Sequence, residues 1–305
     1  MKKKFVIFII IFIAVLYVVD RVGGLLLDRQ YAHSSNNENR AFRYADEDII
    51  IIGSSRANHH YDPDIIAKET GLTCHNYGKD GQRIFYHYGI LNLVLSHHNP
   101  KIVIYDVNAT DVGVLTDKSN FSGLSSFYPL FEQDDTIKNL IALQGKLQKV
   151  KLDVSHLYRH NSIFVDYYMT QGEGNGFSGV EGVWNEEICL IGEDKTPSLC
   201  PLKHEYMERL VSICQDKGVF LVLAISPKYA LGDKEGVTTK YLPLEKLAKE
   251  KGVPFYYYEQ DTAFINHRDY FKDILHLNAK GAVLYSQIIS TRLKEDYRCY
   301  LERNN

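Results

Sequence analysis

Four consecutive isoleucines, Ile49 to Ile52, run directly into Gly53-Ser54-Ser55-Arg56. A β-branched run that does not alternate with polar residues reads as a strand buried on both faces, and the glycine ends it abruptly. Strands of this kind belong to parallel sheets covered by helices on either side. A hydroxyl on the first turn beyond such a strand sits at the carboxyl edge of the sheet, where open α/β folds place their ligands. Ser55 is therefore a candidate nucleophile, and the alternative for this stretch taken alone is a serine-rich helix cap.

The same pattern recurs along the chain. Lys101 to Asp106, introduced by Pro100, reads as a second buried strand that ends in the polar run Val107-Asn108-Ala109-Thr110-Asp111. Further strands are expected at 219–225 and 253–258. Helices are expected at 64–69 behind Pro63, at 83–97, 204–217 and 243–251, and from Ala279 onward. Alternation of apolar strands with helices predicts a three-layer α/β/α domain over residues 48–300, with a mostly parallel, flavodoxin-like central sheet. Between 112 and 200 the rhythm is lost. One amphipathic helix at 136–150 stands in a stretch rich in tyrosine, phenylalanine and glycine, which reads as an insertion and a candidate cap over the active face. Its Trp184 is a candidate for stacking on a sugar, or else fills a small core.

The amino terminus bears on location. Lys2-Lys3-Lys4 precede an uninterrupted apolar run from Phe5 to Val19, then Asp20-Arg21 and a second apolar patch from Val22 to Leu27. The lysines are expected to stay cytosolic and the rest to be exported. With no Ala-x-Ala site behind the run, residues 1–27 read as an uncleaved signal anchor, with a cleaved signal peptide as the alternative. Residues 28–47, centred on Ser34-Ser35-Asn36-Asn37-Glu38-Asn39, read as a polar linker.

Composition excludes several classes. A formal net charge of −3 and a pI near 6.5 offer no basic excess for a phosphate backbone, so nucleic acid is not an expected partner. The five cysteines contain no CxxC pair, although Cys189 and Cys200 could close a short loop. His59-His60 have no acidic or thiol partner at metal-ligand spacing, and no phosphate loop or Gly-x-Gly-x-x-Gly follows a strand. No cofactor or metal is expected.

Late in the chain, Asp273-x-x-His276 precedes the last helix. At that spacing a carboxylate can reach Nδ1 of the imidazole while Nε2 points outward, the arrangement a base needs to take a proton from serine. In this order the blocks resemble those of the SGNH/GDSL hydrolase family. Gly53-Ser54-Ser55 matches the Gly-x-Ser block, Asn76-Tyr77-Gly78-Lys79-Asp80-Gly81 is similar to the second block, Asp106-Val107-Asn108-Ala109 to the Gly-x-Asn-Asp block, and Asp273-x-x-His276 to the terminal block. The resemblance implies Ser55 as nucleophile, His276 as base and Asp273 as its orienter, with oxyanion donors from Ser55, Gly81 and Asn108. Ser54 and Arg56 depart from the namesake block, as do Asp106 and Ala109 from the third. The Gly-Ser-Ser-Arg form on a tethered chain looks like the branch that acts on cell-envelope polymers. The resemblance thus implies a serine esterase or O-acyltransferase; outward topology and the aromatic-rich insertion point to an acylated, in particular acetylated, glycan or small ester as partner, with envelope-polysaccharide machinery around it. An inactive binding or assembly module is the alternative. Arg56 is a candidate for recognising a substrate carboxylate, or else pairs internally with Asp62 or Asp106.

Overall fold

The computed structural model describes residues 2–113, 118–161, 174–185, 199–229 and 238–304. Five strands, β1 (Ile49–Gly53), β2 (Cys74–Asn76), β3 (Ile102–Asp106), β4 (Phe220–Ile225) and β5 (Phe255–Tyr257), form one sheet in the order β2-β1-β3-β4-β5. Every pairing is parallel, and Gly53 stands in register with Asp106. This is the expected flavodoxin-like order.

Successive strand residues point to opposite faces, and each face has its own apolar layer. Ile50, Ile52, Val103, Tyr105, Leu221 and Leu223 pack toward α5 (Ile84–Leu95), α8 (Pro201–Asp216) and α9 (Leu242–Lys251). Ile49, Ile51, Ile102, Ile104, Val222 and Ala224 pack toward α3 (Ser55–His60), α4 (Pro63–Thr70) and the long α10 (Ala279–Asn304). All strand residues of β1, β3 and β4 are buried, which explains why their sequences do not alternate.

Chain order reverses between β1 and β3, which are neighbours although β2 lies between them in sequence. Such a switch point leaves a crevice at the carboxyl ends of the two strands. Ser55 follows one of these ends and Asn108 the other.

Outside the sheet the sequence reading needs correction. Residues 28–47 are not a free linker: α1 runs unbroken from Lys2 to Ala32, and α2 (Asn37–Arg43) follows after a short turn. Asn36 caps α2 by accepting from the Asn39 N–H, and Glu38, Asn39 and Ala41 are buried. Polar composition misled here because Glu38 is paired inside, accepting from Lys79 Nζ and Tyr86 Oη, both at 2.8 Å. The helix expected at 136–150 is two, α6 (Asp135–Ala142) and α7 (Lys146–Val154). They part at Gly145, whose φ of 108° no helix accommodates. Cys189 lies outside the described residues.

Candidate active site

β1 delivers Ser55 by way of Gly53. The glycine has φ 149°, and a Cβ there would meet the Asp106 carbonyl oxygen and the Ala57 Cβ, each at 2.7 Å. Only glycine allows the strand to turn this sharply into α3 against β3. Ser55 then opens α3, with its side chain over the crevice.

Ser55 Oγ lies 2.8 Å from His276 Nε2. On the other side of the ring, Nδ1 lies 2.9 Å from Asp273 Oδ2 and 3.1 Å from Oδ1. Asp273 is itself fixed, since Oδ1 accepts the backbone N–H groups of Leu275 at 2.7 Å and His276 at 2.9 Å. Partial burial would raise the pKa of this carboxyl, but the His276 side chain and those two amides outweigh it and hold it below the usual range. An ionised carboxylate only accepts, so the neutral imidazole carries its proton on Nδ1 and leaves Nε2 free to accept from the serine hydroxyl.

Two further histidines frame the ring, and sequence reasoning gave neither of them this role. His60 is fully buried, with Nδ1 2.9 Å from Ser226 Oγ, while its Nε2 accepts the Leu277 N–H at 3.0 Å. This bond ties α3 directly to the loop that carries His276. Burial, with Arg56 and His276 nearby, holds the His60 pKa well below its ordinary value, so it adds no charge beside His276. His59 stands edge-on to His276 with ring centroids 5.6 Å apart. Its Nε2 meets Asp80 at 3.1 Å and its Nδ1 meets the Ser178 carbonyl at 2.6 Å. Burial would lower the His59 pKa, but these partners raise it on balance. Adjacent placement in sequence sends the two rings to different neighbours. Among the described residues no group of three His, Cys, Asp or Glu side chains is placed to hold a metal ion.

A cavity of about 320 Å³ opens in front of Ser55 and His276, lined also by Arg56, Asn108, Ala109, Thr110, Lys228, Lys240, Tyr241, Glu259 and Leu275. Asn108 holds its own turn: Oδ1 accepts from the Thr110 N–H and its backbone N–H donates to Asp111. That leaves the Nδ2 amide without a protein partner among the described residues. Gly81, at φ 72°, occupies an exposed turn and does not line the cavity, so the expected oxyanion N–H from Gly81 has no support there.

Arg56 is buried and lies 3.2 Å from Asp106 Oδ1, while Nη2 donates to the Val107 carbonyl at 2.7 Å. It reaches the cavity wall as one half of an ion pair, so of the two roles open to it the internal pairing with Asp106 holds and the substrate-carboxylate role is corrected. Asp106 also accepts from Tyr61 Oη at 2.7 Å and the Ser226 N–H at 3.2 Å. Trp184 is corrected as well. It is 7% exposed, packs edge-on to Tyr229 and is covered by the Arg268 guanidinium 4.7 Å from its ring, so no face is offered to a sugar. The wall residues Lys240 and Glu259, 3.0 Å apart, carried no sequence signal, because one sits in the 3-10 turn Thr239–Tyr241 and the other just beyond β5, and they meet only in the fold.

No family model matches the chain, and no curated protein matches it. Solved structures similar to it include a lipase/acylhydrolase from Enterococcus faecalis, at 13% identity and a TM-score of 0.41 over 81% of this chain and 96% of that one. The acetyl xylan esterase AlAXEase is 12% identical, with a TM-score of 0.41 over 81% and 98% of the two chains. A GDSL-like lipase from Bacteroides thetaiotaomicron is 11% identical, with a TM-score of 0.36 over 81% and 88%. The family that this chain resembles, in the order of its four blocks along the sequence, is the SGNH/GDSL hydrolases.

Proposed function

We propose that the protein is a serine esterase or O-acyltransferase that forms an acyl-serine intermediate at Ser55. The observation that carries this reading is the unbroken hydrogen-bond chain from Ser55 Oγ through His276 to Asp273. His276 Nε2 takes the hydroxyl proton as Ser55 attacks an ester carbonyl, and Asp273 stabilises the imidazolium that results. The oxyanion is held by the Ser55 backbone N–H and the Asn108 Nδ2 group, a kind of donor whose loss typically costs about 10²- to 10³-fold in rate. His276 then returns the proton to the leaving alcohol. Water or a second hydroxyl resolves the acyl-enzyme, giving hydrolysis or transfer respectively.

The wall is mixed: Asn108, Thr110, Lys228, Lys240 and Glu259 stand beside Ala109, Tyr241 and Leu275, and a volume of about 320 Å³ suits a short acyl group on a hydroxyl-bearing carrier better than a long acyl chain. An O-acetylated glycan of the cell envelope fits this lining together with the long apolar helix α1. That helix would hold residues 48–300 on the outer side of a membrane, with Lys2 to Lys4 inside.

A fluorophosphonate probe and p-nitrophenyl acetate test the reading on the purified full chain. Labelling at Ser55 and turnover are expected. Ser55→Ala should abolish both, and Asp273→Asn should lower turnover on the order of 10²- to 10⁴-fold by releasing the wrong tautomer. Wild-type protein that is neither labelled nor active would overturn the proposal in favour of a binding module.

A further inference from the structure

Helix α7 buries only Leu152 and turns Leu147, Val150 and Val154 outward at 69, 53 and 65% exposure. Spacings of three and four residues put these side chains on one face, and Leu157, exposed in the turn that follows, extends it. Lys146 and Lys151 border that face, and Lys149 lies on the exposed remainder of the helix. A water-facing helix gains nothing from such an apolar strip, so an occupant is called for.

Its position identifies the occupant. The strip adjoins α1, whose apolar side chains are exposed from Phe5 through Leu26. That length rises about 33 Å at roughly 1.5 Å per residue, close to the roughly 30 Å hydrocarbon core of a bilayer. Within it the polar residues Asp20 and Arg21 are taken up by the end of α7 and the turn after it. Asp20 accepts from Ser155 Oγ at 2.5 Å and from the backbone N–H groups of His156 and Leu157 at 3.0 and 3.2 Å. Arg21 donates to the Val154 carbonyl at 3.1 Å. Gly23 and Gly24 permit this approach, since a Cβ on Gly24 would lie 2.3 Å from His156 Cβ and one on Gly23 2.8 Å from Leu157 Cδ2. The strip is therefore continuous with the apolar surface of α1 near its outer end.

We propose that Leu147, Val150, Val154 and Leu157, with Lys146, Lys149 and Lys151, form a second membrane contact: an interfacial helix seated in the headgroup layer of an anionic phospholipid bilayer. The apolar strip enters the acyl boundary while the lysines meet lipid phosphates. With α1 it makes two points of attachment, which fix the orientation of the domain on the membrane. This rests on α1 crossing the bilayer, as proposed above.

The test uses the full chain reconstituted in phosphatidylcholine–phosphatidylglycerol vesicles whose acyl chains are brominated. Single tryptophans are added to the parent, whose buried Trp184 supplies a common background. Val15→Trp reports α1, Leu147→Trp and Val154→Trp report the strip, and Leu301→Trp near the end of α10 is the remote control. Quenching at 147 and 154 is expected to exceed that at 301 by at least about twofold. Replacing Lys146, Lys149 and Lys151 with glutamate should reduce it toward the control. Equal quenching at 147, 154 and 301 with Val15→Trp strongly quenched would overturn the second contact and leave the anchor standing. Val15→Trp spared by bromine would remove the anchor itself, and the second contact with it.

Discussion

Arg56 and Asp106 are two of the four residues at which the chain departs from the blocks it resembles, and in space they are one feature. The strand register that sets Gly53 beside Asp106 brings an arginine three positions after the glycine onto that carboxylate. An uncompensated buried charge costs far more than the intact pair contributes. Arg56→Met should therefore destabilise the protein by about 3–5 kcal/mol, read as a drop in the denaturant midpoint, while the double variant Arg56→Met/Asp106→Asn recovers part of the loss. At this scale the sequence was partly legible. Ser55, His276 and Asp273 could be picked out because each sits in a short block with its own turn chemistry. Lys240, Glu259 and the supporting role of His60 could not, because their partners are fixed by tertiary contacts that leave no local pattern.

Elements follow the same division. The four isoleucines of β1 and the run in β3 announced a parallel sheet correctly, since burial on both faces leaves no room for polar alternation. Helix α2 resembles linker in sequence because its buried Glu38 and Asn39 gain their partners from Lys79, Tyr86 and the chain at Ala32 and Ser34. The β1–α3 turn is the element on which the site depends most. Gly53→Ala puts a methyl group against a carbonyl oxygen and another methyl at 2.7 Å, in a backbone region that L-residues rarely adopt. A loss of roughly 1–3 kcal/mol from strain, with more from the contact, is expected in equilibrium unfolding. Reaction at Ser55 should fall with it, because the helix carrying the hydroxyl must shift away from β3.

For the molecule as a whole, three of the buried histidines, His60, His75 and His87, weaken it in acid. Burial, reinforced by Arg83, lowers the His87 pKa to about 3, and burial, reinforced by Arg40, lowers that of His75 to about 4. His60 also titrates well below its ordinary value, for the reasons given above. Well above pH 6.5 these rings are neutral in folded and unfolded chains alike and contribute no pH dependence. As the pH falls below that value the unfolded chain takes up protons that the folded one refuses. Each histidine then removes about 1.4 kcal/mol of stability per pH unit until its folded pKa is reached. Asp111 opposes them in part, because burial raises its carboxyl to about 6 and the folded state then holds a proton the unfolded one has lost. The urea midpoint should therefore fall steadily from pH 6.5 to 4.5, and His87→Leu should flatten that slope.

Ser55 and His276 meet across 221 positions of chain. The loop bearing His276 is held by His60 on one side and runs straight into α10, which packs against α3 and α4. The hydroxyl–imidazole contact thus depends on the closure of nearly the whole polypeptide. During refolding, reactivity at Ser55 should return only after the carboxy-terminal segment has docked, later than helical signal, because so distant a pairing pays its loop entropy before any contact rewards it.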